Sequence, residues 1–250
     1  MNISSILELL ESHPAVSLHK AVLLPGIGEE ELARVESDLG VNLTPVVRDF
    51  FLAHNGVAIE WSLREESDEA GEVLRSEDDY PNMMEEIEDY GPRRDGRLVI
   101  SPLDEVLVPE YDPADVFNPF GAADGYFEFL ESVPQDAPDG FFHFGERTFA
   151  SVAGFRSKLR YFDLFQRDTG VVLLYEFANP DPTVIYEPYR GGGYDPSQTV
   201  SLSKYLELVI QHLGSAWRRD LFFRQEVEVQ EDLDWKERLE EILDFCRMIT

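Results

Sequence analysis

The stretch from Pro25 to Trp61, PGIGEEELARVESDLGVNLTPVVRDFFLAHNGVAIEW, constrains this chain more tightly than any other part of it. Three glutamates, Glu29 to Glu31, open a helix where unpaired backbone N–H groups favour negative charge. Leu32, Val35 and Leu39 form its apolar face, and Gly40 is placed for a left-handed stop. A second helix is expected to start with Thr44 as N-cap and Pro45 at its first position, where a missing N–H costs nothing. Val46, Val47, Phe50 and Phe51 give it a wide apolar face. His54-Asn55-Gly56 should end it, since Asn and Gly tolerate positive φ. From Val57 the period changes to two: Val57, Ile59 and Trp61 alternate with Ala58 and Glu60, the pattern of a strand.

The flanking segments fit round this unit. Ile3 to Ser12 reads as a short helix with Ile6, Leu7 and Leu10 inward and Pro14 as its stop, an N-terminal addition packed on the core. Residues 62 to 92 carry 12 acidic side chains against Arg64 and Arg75, which predicts an acidic insertion over about 62–96. Arg97 to Ser101 is a short apolar run suited to a buried strand. Pro109 to Gly140 is rich in turns, with one helical turn expected at Gly125 to Val133. Strands are predicted at Phe141 to Phe144, Arg160 to Phe165, Val171 to Tyr175 and Thr183 to Tyr186, with a hairpin turn at Asp168-Thr169-Gly170. Ser201 opens the best helix, in which Leu202, Tyr205, Leu206, Val209, Ile210 and Leu213 share a face and Gly214 stops it. The C-terminal extension, 214–250, contains an amphipathic helix, Trp235 to Met248. Its Trp235, Leu239, Ile242, Leu243 and Cys246 must cover either this domain or a partner.

Leu39-Gly40, Leu43-Thr44-Pro45, Phe51-Leu52 and Asn55-Gly56 together resemble the N-terminal signature of the SUKH superfamily, the Smi/Knr-type proteins. That superfamily includes yeast cell-wall-assembly regulators and bacterial toxin immunity proteins. The bulky residue the family carries near Asn-Gly corresponds here to Trp61 or to His54. The aromatic-rich strands and the serine-led helix after Ser201 are similar in order to the family's sheet and closing helix, so the resemblance spans about 24–213. It implies a single α+β domain over 1–250, a SUKH-like antiparallel or mixed central sheet flanked by helices, with helices added at both ends. Leu39, Gly40, Leu43, Pro45, Phe51, Asn55, Gly56 and Trp61 would be its structural motif positions.

Charge bounds the partners. The chain has 21 Lys and Arg against 50 Asp and Glu, a net −29. Such a surface repels nucleic-acid phosphates and anionic lipid heads and attracts a basic protein, although high charge also serves plain solubility. The candidate contact residues are Glu65, Glu66, Asp68, Glu69, Asp78, Asp79, Glu85, Glu86, Glu88 and Asp89, with Met83 and Met84 as adaptable apolar contacts. Cys246 is the only cysteine, which excludes an internal disulfide and a cysteine-based zinc site. There is no apolar run of membrane-spanning length and no secretory leader, so a reducing, cytoplasmic setting is expected.

Catalytic patterns are absent from the sequence. There is no Gly-x-Ser-x-Gly elbow and no His-Glu-x-x-His. His13, His19, His54, His143 and His212 are dispersed, and Gly191-Gly192-Gly193 lacks the Lys-Ser/Thr of a phosphate loop. Asp112, Asp115 and Asp124 do not fit a calcium loop. No metal or cofactor is expected, and no enzymatic activity. The resemblance then implies a protein-binding module, foremost an immunity protein that neutralises a basic, nuclease-like toxin. The alternative is a regulatory or scaffold protein in signalling or cell-wall assembly.

Overall fold

A computed structural model describes residues 3–64, 72–80, 95–107, 141–151, 154–155, 157–166, 169–187, 195–215 and 218–249. Its helices are α1 (Ile3–Ser12), α2 (Glu29–Leu39), α3 (Pro45–Ala53), α4 (Leu103–Val106), α5 (Leu202–Gln211), α6 (Arg219–Phe223) and α7 (Trp235–Ile249). The strands are β1 (Val16–Leu23), β2 (Val57–Leu63), β3 (Gly96–Ile100), β4 (Phe142–Phe144), β5 (Arg147–Phe149), β6 (Leu159–Gln166), β7 (Thr169–Leu174), β8 (Thr183–Glu187) and β9 (Thr199–Ser201). The chain is therefore α+β. Seven strands form one antiparallel sheet in the order β1-β2-β3-β6-β7-β8-β9, and β4 and β5 form a separate hairpin.

The helices cover one face of the sheet. Val57, Ile59 and Trp61 of β2, Leu98 and Ile100 of β3, Val171 and Leu173 of β7 and Val184 of β8 share a core with the apolar sides of the helices. Phe51, at the centre, is fully buried. The second face carries a smaller core in which Val172, Leu174 and Ile185 meet Phe144 and Phe155. Phe155 there packs 5.0 Å from both Phe142 and Phe144 and 5.1 Å from Phe149. β2 also buries Ala58 and Glu60, the residues that alternate with its helix-facing side chains. Glu60 is accommodated by Arg97 of β3, 3.1 Å away.

Most elements read from periodicity are present, with bounds close to those expected. Gly40 adopts φ 71°, and the Gly40 and Val41 amides return to the Ser37 and Glu36 carbonyls, closing α2 with a left-handed turn. Leu39 and Leu43 are buried, and Pro45 opens α3. The apolar residues Leu239, Ile242, Leu243 and Cys246 of α7 are fully buried in the domain's own core.

Three details differ from expectation. Val16–Leu23 forms strand β1, paired with β2 along its length, so the sheet begins ahead of the expected boundary near residue 24. Thr44 precedes α3 but its side chain does not cap it; Oγ1 bonds Ser203 Oγ at 2.6 Å and ties α3 to α5. Only Gly56 takes positive φ, 135°, at the end of α3. Asn55 contributes through its amide group: Nδ2 donates to Asp104 Oδ1 at 2.6 Å, and Oδ1 accepts the Leu103 amide at 2.8 Å. That pair of bonds fixes the start of α4 against the end of α3. The expected helical turn at 125–133, the Asp168 corner and the glycine run at 191–193 lie outside the described residues. Among the described residues no helix is long and apolar enough to cross a membrane.

Candidate partner-binding surface

Of the ten acidic candidates in the insertion, Asp78 and Asp79 are described; Glu65, Glu66, Asp68, Glu69, Glu85, Glu86, Glu88 and Asp89 lie outside the described residues, as do Met83 and Met84. The two aspartates sit in a single 3-10 turn, Glu77–Asp79. Ser76 Oγ accepts the Asp78 amide at 3.2 Å and Asp79 Oδ2 accepts the Ser76 amide at 2.8 Å, a capping box. Asp79 is thus engaged in holding the turn, and Asp78 is exposed. The segment is also tied to the sheet. Leu74 exchanges backbone hydrogen bonds with β1, donating to His19 O at 3.0 Å and accepting from Ala21 N at 2.9 Å. Tyr80 donates its hydroxyl to Ile100 O at 2.6 Å, and burial pushes that hydroxyl far above its ordinary pKa. The middle of the insertion is an anchored part of the fold, which the acidic composition concealed.

A second acidic surface lies at the C-terminus, where sequence reasoning attended only to the apolar face of α7. Between Glu226 and Asp244 nine carboxylates are exposed, and the basic residues there are Lys236 and the buried Arg238. An open notch of about 440 Å³ sits in this run, lined by Gln211, Gln230, Glu231, Asp232, Leu233, Asp234 and Trp235. Gln211 frames it with paired bonds to the Gln230 backbone, donating at 2.8 Å and accepting at 2.9 Å. Asp234 accepts the amides of Lys236 and Glu237 at 2.9 and 3.1 Å and so caps α7. Glu231 and Asp232 remain at the lip, exposed beside a half-buried indole. Carboxylates next to an aromatic face suit a Lys or Arg side chain. The signal that could have found this surface was present in the count of acids along the run.

Buried polar groups serve a different purpose. Asp163 Oδ1 accepts the Val99 amide at 3.0 Å, Oδ2 accepts the Tyr205 hydroxyl, and Arg219 Nη2 lies 3.0 Å from Oδ2. Arg219 also donates to Arg97 O at 2.6 Å. This network fills the place where β3 and β6 separate after one paired position, Ile100 with Asp163. Burial raises the Asp163 carboxyl, opposed by Arg219, the Tyr205 hydroxyl and the Val99 amide. Asp163 and Arg219 are inaccessible to solvent, and the group acts as a strut that ties α6 to β6 and β3. Trp61 closes the same region, donating Nε1 to Leu213 O at 2.8 Å.

The histidines remain scattered. His13 meets Glu240, His19 meets Ser62, and His143 meets Thr148 on the exposed side of β4. Burial lowers His54. His212 is lowered to about 3, first by burial and then by Arg238, Arg218 and Arg219. Among the described residues no group of three or more His, Cys, Asp or Glu side chains is placed to hold a metal ion.

Charge sorts with depth. The buried ionic side chains are Lys20, Arg160, Arg219 and Arg238 against Glu36, Glu60, Asp95 and Asp163, four of each sign among the described residues. The described interior therefore absorbs none of the negative excess. Many exposed guanidiniums are already engaged, Arg75 with Glu11, Arg224 with Asp220 and Arg247 with Asp244. The fold and this surface define an α+β protein with an acidic exterior. Comparison with protein-family models, curated proteins and solved structures gives no match for the chain.

Proposed function

We propose that this chain is a non-enzymatic protein-binding module of the Smi/Knr type, acting in the cytoplasm as an immunity protein that neutralises a basic, nuclease-like toxin. The observation that supports the proposal is the balance of buried charge among the described residues, which leaves their excess of carboxylates outside the core. Clustered carboxylates imitate the phosphates a nuclease binds. They accelerate encounter with its cationic cleft and then exclude its substrate. A scaffold would use the added N- and C-terminal helices as docking elements. Their apolar faces are occupied in this domain's own core, which favours the inhibitor reading.

The test begins with capture from the source-cell lysate and salt elution, followed by association kinetics with the recovered protein. A single basic protein released by salt is the expected catch. Replacing Glu85, Glu86, Glu88 and Asp89 by lysine, or Glu231 and Asp232 by lysine, should slow association by about tenfold or more at low salt if that region faces the partner. Thermal stability should stay near wild type for the exposed pair. Unchanged association in both variants would refute electrostatic steering by these acids. Recovery of several signalling or envelope-assembly proteins would return the weight to the scaffold alternative.

A further inference from the structure

The geometry points to the turn Phe177 to Pro180 as the apolar anchor of the interface with a basic protein partner, an inference that rests on the protein-binding reading above. Phe177 is 71% exposed, more than any other described aromatic residue. It is nevertheless held firmly. Ala178 adopts φ 60°, a conformation for which alanine has neither the freedom of glycine nor the side-chain hydrogen bond of asparagine. The Ala178 amide donates to Leu39 O at 2.7 Å, and Pro180 O accepts the Thr44 amide at 3.0 Å, so the turn is bolted to the ends of α2 and α3.

Its base is fixed as well. Glu176 accepts Arg147 Nε at 2.6 Å, Asn179 Nδ2 at 3.0 Å and Thr183 Oγ1 at 3.1 Å. The Phe177 ring lies over Gly40, where a Cβ would stand 2.3 Å from the ring tip. A chain that strains an alanine to hold a phenylalanine ring in water gains nothing for its own core. Strain of this kind concentrates where a surface is built for recognition.

The surroundings have the anatomy of a small interface. Phe177, Ala178 and Pro180 are exposed. The turn's two anchor points are flanked in the chain by exposed Asp38, next to Leu39, and by half-buried Asp181, next to Pro180, whose Oδ1 accepts the Ser203 amide at 2.8 Å. A rigid aromatic at the centre of a polar rim is the arrangement that dominates binding energy. Charge selects the occupant. A second copy also carries −29 and is repelled, as is an anionic lipid surface. The complement is a basic protein surface with an apolar pocket ringed by Lys or Arg.

Two fluorescein-labelled peptides of equal charge test this by anisotropy, one alternating Lys with Leu and one alternating Lys with Gly. The Lys-Leu peptide should bind the wild-type chain about tenfold more tightly than the Lys-Gly peptide, and Phe177→Ser should erase that margin without lowering Tm. Leu74→Ser, at an exposed apolar position of the 72–80 segment, should preserve it. A margin that survives Phe177→Ser places the anchor elsewhere and overturns the inference. Equal, salt-sensitive binding of both peptides to wild type also overturns it while leaving the acidic-surface reading intact. Absence of salt-sensitive binding by either peptide removes that reading and the inference with it.

Discussion

Two carboxylate–guanidinium pairs stitch this fold, and they differ in access to water. Glu36 and Arg48 join α2 to α3 at the edge of the core, with side-chain exposures of 8% and 29%. Asp163 and Arg219 join β6 to α6 with both side chains at 0%. The outer pair can exchange a lost partner for solvent. The inner pair cannot, because its charges were desolvated on folding and each depends on the other. Similar chemistry thus makes an adjustable bracket in one place and an obligatory strut in the other.

The largest expected effect follows from breaking the strut. Arg219→Met keeps much of the volume but leaves Asp163 buried without its cation, and should cost about 3–5 kcal/mol in urea unfolding. Asp163→Leu combined with Arg219→Met should recover a large part of that loss, since an apolar pair carries no stranded charge. A loss below about 1 kcal/mol for Arg219→Met alone would show that the two pairs are equivalent.

Acid sharpens the comparison from another side. His212 is 2% exposed, with burial first and then Arg238, Arg218 and the strut's Arg219 disfavouring its protonation, and the Phe222 ring is centred 5.1 Å from its own. Its folded pKa of about 3 lies below the ordinary 6.5. The unfolded chain therefore binds the extra proton between those values, and stability falls as pH falls through that window. By pH 5 the loss from this group alone should reach about 2 kcal/mol. Urea midpoints of wild type and His212→Leu measured at pH 7 and pH 5 isolate it. Equal pH dependence in the two proteins would show that His212 is not kept neutral by burial and the arginines.

Much of this architecture was legible because its causes are local. Leu32, Val35 and Leu39, closed by Gly40, declare a helix without help from distant residues. So does the run from Leu202, although that helix ends at Gln211 and its left-handed stop begins at Leu213, φ 54°, ahead of Gly214. β1 was hidden because His19 and Lys20 interrupt its apolar run; Lys20 is nonetheless 4% exposed, covered once the 72–80 segment lies beside it. Asp163 was hidden by a register shift. Simple alternation sets it opposite Phe162, but a bulge between Tyr161 and Asp163 turns both toward the helices. Arg219 belongs to a five-residue helix too short to show a period. On the surface, acid density pointed to the 62–96 insertion, where the described part, Asp78 and Asp79, is bound into a capped turn. The Glu226 to Asp244 run was equally visible in composition and was masked by the stronger apolar signal of α7.

The smallest expected effect belongs to the outer pair, and it decides whether the comparison holds. Glu36 Oε1 accepts the Leu43 amide at 2.7 Å while its other oxygen faces Arg48, which also reaches Glu29 at 3.1 Å. Glu36→Ala strands the buried Leu43 amide and should cost about 1–3 kcal/mol. Arg48→Met leaves that bond in place and exposes one carboxylate oxygen to solvent, so its cost should be at most about 1 kcal/mol. The asymmetry between the two partners is the signature of a wet bracket. Should Arg48→Met cost as much as Arg219→Met, water is not replacing the guanidinium at the α2–α3 corner, and exposure of 29% against 0% would not be what separates the two pairs.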